Sequence, residues 1–195
     1  MSDNPKKEKA RLRRLAERRR AGLTASEALA LSRRIQAHLL ASPLWTGSRR
    51  IHCYVSCGGE VDTLELIQHG LTQDREVWVP RLEGREMRSV RLRKLSDLVP
   101  SKLGIPEPPG DSETPEPTEF DLILVPCIAF DTQGHRLGRG WGCYDRFLAR
   151  HGGRRIGLAF ACQIASALPA ADHDVRLDGI MSESGLTLCA TGSAS

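Results

Sequence analysis

The densest run of chemistry-bearing residues is RLGRGWGCYD, from Arg136 to Asp145. Gly138, Gly140 and Gly142 stand at alternate positions, after a strand-and-turn segment and before a helix expected over residues 144–150. Glycine lets the backbone come close to a ligand and point successive amides into a concave anion nest. A helix that follows adds its unpaired N–H groups and its positive dipole end. Arg136 and Arg139 supply fixed positive charge suited to phosphate oxygens. The spacing is not G-x-x-x-x-G-K-[ST], and it misses G-x-G-x-x-G by one residue. A phosphate loop of another kind is the sharper reading. A glycine-rich hairpin loop without a ligand is the blander one, and spacing alone leaves both open.

Little else in the composition competes for the chemistry. The six cysteines, at 53, 57, 127, 143, 162 and 189, form no Cys-x-x-Cys pair, and most lie in apolar segments. Reduced cysteine behaves there as a small hydrophobe, so neither a zinc site nor a disulfide framework is expected. His52, His135 and His151 have no second ligand at metal spacing and read as structural.

These residues need elements to position them. The first 20 residues are rich in Arg, Lys, Leu and Ala and suit a helix. Thr24 and Glu27 have capping-box spacing; Ala28, Leu31, Ile35 and Leu39 then mark one apolar helical face that Ser42-Pro43 ends. Ile51, Cys53 and Val55 alternate with His52, Tyr54 and Ser56, as in a strand. A short helix carrying Leu64, Ile67 and Leu71, a strand at EVWVP and an irregular hairpin over residues 81–93 follow. Residues 100–118 hold six of the eleven prolines and read as a long surface loop. DLILVP from Asp121 and RIGLAFA from Arg155 are continuous apolar runs, as in central strands buried on both faces.

Strands alternating with helices imply an α/β fold: a single three-layer α/β/α domain over residues 1–195, with a mainly parallel sheet, a helical N-terminus and a Pro-rich surface loop. Ligands in such sheets bind beyond the carboxyl ends of the strands. That directs attention to residues 56–61, 126–142 and 163–178.

At 195 residues, 40% apolar and 27% charged, the chain has an ordinary globular composition. No apolar run approaches the roughly 20 residues of a membrane-spanning helix, and the basic N-terminus lacks a secretory core, so the cytoplasm is the expected compartment. The net charge of +4 is uneven: residues 1–20 hold nine Lys or Arg against three acids, leaving the remaining chain at −2. A basic arm is usually a solvated helix face, less often a phosphate or nucleic-acid contact.

Together, the segment DLILVPCIAFDTQGHRLGRGWGCYDRFL resembles the signature of the 5-formyltetrahydrofolate cyclo-ligase family. KARLR from Lys9, SCGGEVDT from Ser56, GIPEP from Gly104, and His173-Asp174 with Leu177-Asp178 resemble further family motifs in the same order and spacing. The resemblance spans nearly the whole chain. It implies ATP-dependent conversion of 5-formyltetrahydrofolate, with or without a polyglutamate tail, to 5,10-methenyltetrahydrofolate, with release of ADP and phosphate.

By the same resemblance, Lys9, Arg13, Arg136, Leu137, Gly138, Arg139, Gly140, Trp141, Gly142, Cys143 and Tyr144 bind ATP. Val55, Glu60 and Tyr144 bind the folate. Asp145 and Asp174 hold Mg²⁺, and Arg136, Arg139 and Tyr144 act in catalysis. Lys9 and Arg13 are four residues apart and share one helix face, though ordinary surface charges would show the same spacing. Asp145 equally suits a helix dipole, and Asp174 a loop cap.

Cys143 stands where the family has the first of two adjacent tyrosines, and Trp141 where a small or charged residue is common; Trp141 could supply stacking surface instead. Two alternatives stay open at this level. One is the same ATP site acting on another formyl or amide substrate; the other is a non-catalytic nucleotide- or RNA-binding relative using the basic arm. A monomer or weak dimer without membrane or nucleic-acid partners is the expectation.

Overall fold

The computed structural model describes residues 5–84, 86–101, 104–109 and 115–190. A seven-stranded sheet organises them. Its strands are β1 (Arg50–Cys53), β2 (Glu76–Glu83), β3 (Glu86–Arg91), β6 (Glu119–Pro126), β9 (Gly152–Leu158), β10 (Gly179–Ser182) and β11 (Gly185–Leu188). They lie in the order β11-β10-β9-β6-β1-β2-β3. The five inner strands pair in parallel, and antiparallel hairpins close both edges. Two small antiparallel pairs stand outside it: β4 (Val99–Pro100) with β5 (Pro106–Glu107), and β7 (Ala129–Phe130) with β8 (Arg136–Leu137).

β6 shows why the sheet is covered on both sides. Leu122, Ile123, Leu124 and Val125 are all fully buried. Successive side chains of a strand point to opposite faces, so this run feeds two cores. Leu122 and Leu124 pack with α2 (Ala25–Leu40), α3 (Pro43–Thr46) and α4 (Leu64–Thr72). Ile123 and Val125 pack with Phe147 and Leu148 of α5 (Cys143–Arg150). Truncating such a leucine to alanine costs about 2–5 kcal/mol.

The sequence-level elements recur with local differences. The capping box at Thr24 is formed, with Thr24 and Glu27 bonding reciprocally. α2 ends before Ser42-Pro43 as expected, and Pro43 then opens α3, a further short turn of helix capped by Ser42. β1 is buried on both faces: Ile51 and Cys53, with Val55 just beyond the strand, join one core, and His52 is fully enclosed on the other. On α4, Leu66 and Ile67 are buried while Leu64 is exposed, because the helix turns its second residue pair to the core. The expected irregular hairpin over residues 81–93 is instead a regular pairing of β2 with β3, from Trp78 opposite Arg91 to Glu83 opposite Glu86. The Pro-rich segment contributes β5, while residues 102–103 and 110–114 lie outside the described residues. No helix among the described residues is long and apolar enough to cross a membrane.

The basic helix α1 (Pro5–Ala21) does not lie on the sheet. Its one buried side chain, Ala16, joins Ile128, Ala129, Leu137 and Leu168 in a third small core. The helix therefore rests on the β7–β8 pair, which carries the glycine loop.

Candidate active site

A cavity of about 670 Å³ opens at the carboxyl ends of the parallel strands. That volume is in the range of small-molecule and cofactor sites. It draws on all three loops anticipated from the sequence, together with α1.

The loop after β1 is folded upon itself. The Tyr54 hydroxyl donates to the Val61 carbonyl at 2.9 Å, and the Thr63 hydroxyl donates to the Tyr54 carbonyl at 2.7 Å. Gly58 and Gly59 take φ of +58° and +77°, open to glycine without strain. The Cys57 amide donates to Glu60 Oε2 at 3.0 Å, and Arg20 of α1 donates to the Gly58 carbonyl at 3.0 Å. Glu60 is thereby fixed facing the cavity, beside the buried Val55.

The glycine loop is positioned by the turn before it. Asp131, buried, accepts from the Gln133, His135 and Leu168 amides at 2.9–3.0 Å. Gly134 takes φ +85°, and a Cβ there would lie 2.5 Å from the Leu177 carbonyl oxygen. The chain then reaches Gly138, Gly140 (φ +93°) and Gly142 (φ +66°), with Gly142 capping α5 in the left-handed conformation. The first turn of α5 faces the cavity through Cys143, Tyr144 and Asp145.

α1 braces the glycine loop and the loop carrying Asp174 from one face, as the four-residue spacing of Lys9 and Arg13 implies. Arg13 Nε donates to the Gly138 carbonyl at 2.8 Å. Lys9 Nζ lies 2.6 Å from Asp174 Oδ2, with both side chains largely covered. Burial alone would raise the Asp174 carboxyl; the Lys9 hydrogen bond, the Ala171 amide and the Lys9 charge together hold it below its ordinary value.

Arg136 and Arg139 differ in their engagement. Arg136, 5% exposed, donates to the Val175 carbonyl and to Asp145 Oδ1, the latter at 2.7 Å. It thus ties the glycine loop to the C-terminal loop. Arg139, half exposed, reaches Glu60 Oε1 at 3.2 Å and Cys57 Sγ at 3.0 Å. Tyr144 has its hydroxyl buried without a hydrogen-bond partner among the described residues. Burial first, then the Glu60 charge, pushes its pKa well above the usual phenol value, so it stays a neutral donor. Trp141 is 55% exposed at the rim.

All the sequence-level candidates, Lys9, Arg13, Val55, Glu60, the stretch from Arg136 to Asp145, and Asp174, line this one cavity. No group of three or more potential metal-ligating side chains occurs among the described residues. Asp145 and Asp174 are each already bonded to a cation, which lowers their pull on a free metal ion. They fit Mg²⁺ only in company with phosphate oxygens and water, the usual way this ion is held.

Part of the wall was not anticipated. Pro80, Leu82 and Met87 from the β2–β3 hairpin, with Ile105 and Glu107 from the Pro-rich segment, form an apolar side of the cavity. The signal was present: Pro80 ends EVWVP, and β2 is parallel to β1, so its carboxyl end meets the same edge.

The model of the 5-formyltetrahydrofolate cyclo-ligase family matches residues 4–183. The 5-formyltetrahydrofolate cyclo-ligase of Haemophilus influenzae is 33% identical, over 83% of this chain and 90% of its own. The mouse (Mus musculus) protein of the same name is 30% identical, over 88% of this chain and 92% of its own. Among solved structures, the 5,10-methenyltetrahydrofolate synthetase of Aquifex aeolicus superposes with a TM-score of 0.84 at 32% identity, over 96% of this chain and 95% of its own.

Proposed function

The chain belongs to the 5-formyltetrahydrofolate cyclo-ligase family, and we propose that it closes 5-formyltetrahydrofolate to 5,10-methenyltetrahydrofolate in this cavity, with ATP as the activating co-substrate. The observation that carries this reading is the junction at Arg139, where a glycine loop suited to phosphate meets the carboxylate of Glu60 in a single cavity. The reading takes residues 1–195 as one cytoplasmic domain, monomeric or weakly dimeric, whose N-terminal helix serves the ATP site.

The chemistry explains why one cavity must serve two ligands. A formamide oxygen is a poor leaving group. Transfer of the γ-phosphoryl to that oxygen, with ADP leaving, converts it to a good one. The N10 lone pair then attacks the formyl carbon, the C–O bond breaks with its electron pair going to phosphate, and N10 loses its proton. The protein's task is to align the phosphoryl group with the formyl oxygen and to stabilise the spreading charge.

In this scheme the amides of residues 138–144, with Leu137 supporting them from β8, cradle the triphosphate. Lys9, Arg13 and Arg139 offset its charge. Arg136 acts more through Asp145 and the loop it braces than as a free cation. The unpartnered Tyr144 hydroxyl is suited to donate to the reacting oxygens. Glu60 accepts from the pterin N–H and amino groups, Val55 lines the ring pocket, and Trp141 offers a flat surface at the rim. Mg²⁺ entering with ATP would be held by Asp145 and Asp174 and would neutralise phosphate charge.

The engagement of α1 weighs against an RNA-binding arm. Lys9, Arg13, Arg19 and Arg20 each bond to another part of the chain. A folate-dependent release of ADP from MgATP tests the reading. ADP release that ignores the folate and follows another formyl or amide compound would replace it.

A further inference from the structure

Four carboxylates line the cavity: Glu60, Glu107, Asp145 and Asp174. Three are neutralised by cations, Glu60 by Arg139, Asp145 by Arg136 and Asp174 by Lys9, at 3.2, 2.7 and 2.6 Å. Glu107 is in no ion pair among the described residues. It sits in the apolar wall with Pro80, Leu82, Met87 and Ile105, placed there by the pairing of Glu107 with Val99 and Pro106 with Pro100.

Its surroundings define what it can bind. Burial raises its carboxyl above the ordinary value, opposed by a hydrogen bond from the Leu82 amide and by the charge of Arg81. Arg81 itself is turned to Glu83. A carboxylate offers about four acceptor positions, of which the nearby Leu82 amide can take at most one. Glu107 is half-buried, so water can complete it in the open cavity; a ligand that displaces that water without offering a donor would leave the acceptor unpartnered at a cost. The matching ligand group is a neutral N–H donor carried on a flat apolar body, not a phosphate, which Glu107 would repel.

We infer that Glu107 is a specificity-determining residue of this enzyme, accepting a hydrogen bond from an N–H of the reduced folate at the apolar wall. The inference rests on the folate reading of the cavity and adds a second carboxylate contact to that of Glu60. It also divides the cavity into a cationic part for the nucleotide and an apolar, acceptor-bearing part for the folate.

The test compares Glu107→Leu and Glu107→Gln with the wild type. Leu suits the apolar wall and removes the acceptor; Gln keeps an acceptor oxygen without the charge. Binding of 5-formyltetrahydrofolate in the absence of ATP is measured by calorimetry, and KM is measured for each substrate. A lost hydrogen bond to a charged group corresponds to roughly a ten- to hundredfold weaker folate Kd for Glu107→Leu. The KM for ATP is expected to stay within about twofold, since Glu107 forms no ion pair with Lys9, Arg13 or Arg139, and Glu107→Gln to recover most of the loss. Folate binding by Glu107→Leu equal to wild type, or a parallel rise in the KM for ATP, overturns the inference alone. A wild-type chain that binds ATP but no 5-formyltetrahydrofolate overturns the folate reading and this inference together.

Discussion

Arg139 Nη2 lies 3.2 Å from Glu60 Oε1, joining the glycine loop to the loop after β1. The two residues serve different ligands in the proposed reaction, so each ligand meets a partner already in use. The pair is half exposed on the arginine side and 13% exposed on the glutamate side, and exposed pairs of this kind contribute at most about 1 kcal/mol to stability. Its importance is expected in catalysis instead. Arg139→Ala should lower kcat by roughly a hundred- to a thousandfold, the scale of one donor aimed at transition-state charge. Glu60→Gln should chiefly raise the KM for the folate. The double variant should lose less than the product of the two single losses, because residues in one network are non-additive. Strict multiplicativity in steady-state kinetics would show that the ion pair couples nothing.

Lys9→Met removes the cation at 2.6 Å from Asp174. The KM for ATP is expected to rise by at least about tenfold, given the strength of charge-assisted contacts, with circular dichroism unchanged. The Asp174 carboxyl, held low by Lys9, should return toward its ordinary value. An unaltered KM for ATP would confine Lys9 to bracing the C-terminal loop.

Two of the glycines with positive φ in and before the glycine loop, Gly134 and Gly140, should separate stability from activity. In Gly134→Ala the new Cβ meets a backbone oxygen at 2.5 Å, so the chain must shift and urea unfolding should show a large loss. In Gly140→Ala the nearest atom is the Arg13 guanidinium at 3.6 Å, an ordinary contact. Only backbone strain of about 1–2 kcal/mol is expected there, with activity falling further than stability. Equal stability losses in the two variants would contradict this distinction.

Burial pushes the His52 imidazole down from 6.5 to about 3, with a smaller push from His151. Neither ring nitrogen has a hydrogen-bond partner among the described residues. Unfolding restores the ordinary value, so between these limits the unfolded chain binds the extra proton. The contribution is complete above about pH 6.5 and is lost as the pH falls toward 3. Each pH unit inside the window corresponds to about 1.4 kcal/mol at most. His52→Phe, which keeps a ring against Phe147 at a centroid distance of 4.5 Å in the wild type, should flatten the urea midpoint between pH 6.5 and 4.5. A slope equal to that of the wild type would show that another group governs acid sensitivity.

Much of this architecture was legible in the residues. DLILVP and RIGLAFA declared themselves as central strands because both faces of a parallel strand are apolar, and Thr24 with Glu27 declared a helix start. The spacing of Lys9 and Arg13 put both on one helix face, while only the family resemblance directed that face to the site. The apolar wall was not legible in the same way. Pro80 reads locally as the end of a strand, Leu82 and Met87 as a hairpin, and GIPEP as a surface turn; only the pairing of β4 with β5 turns Glu107 toward the cavity. The engagement of Arg136 was also hidden, since its partners Asp145 and Val175 lie 9 and 39 residues further along the chain.

The most direct test of the central claim follows the ultraviolet absorbance of the methenyl product as the chain acts on 5-formyltetrahydrofolate with MgATP. An increase that requires both the folate and ATP, and that falls by at least about a hundredfold in Arg139→Ala, is the expected result. No increase from folded protein that binds ATP would contradict the account and make another formyl or amide compound the substrate to seek.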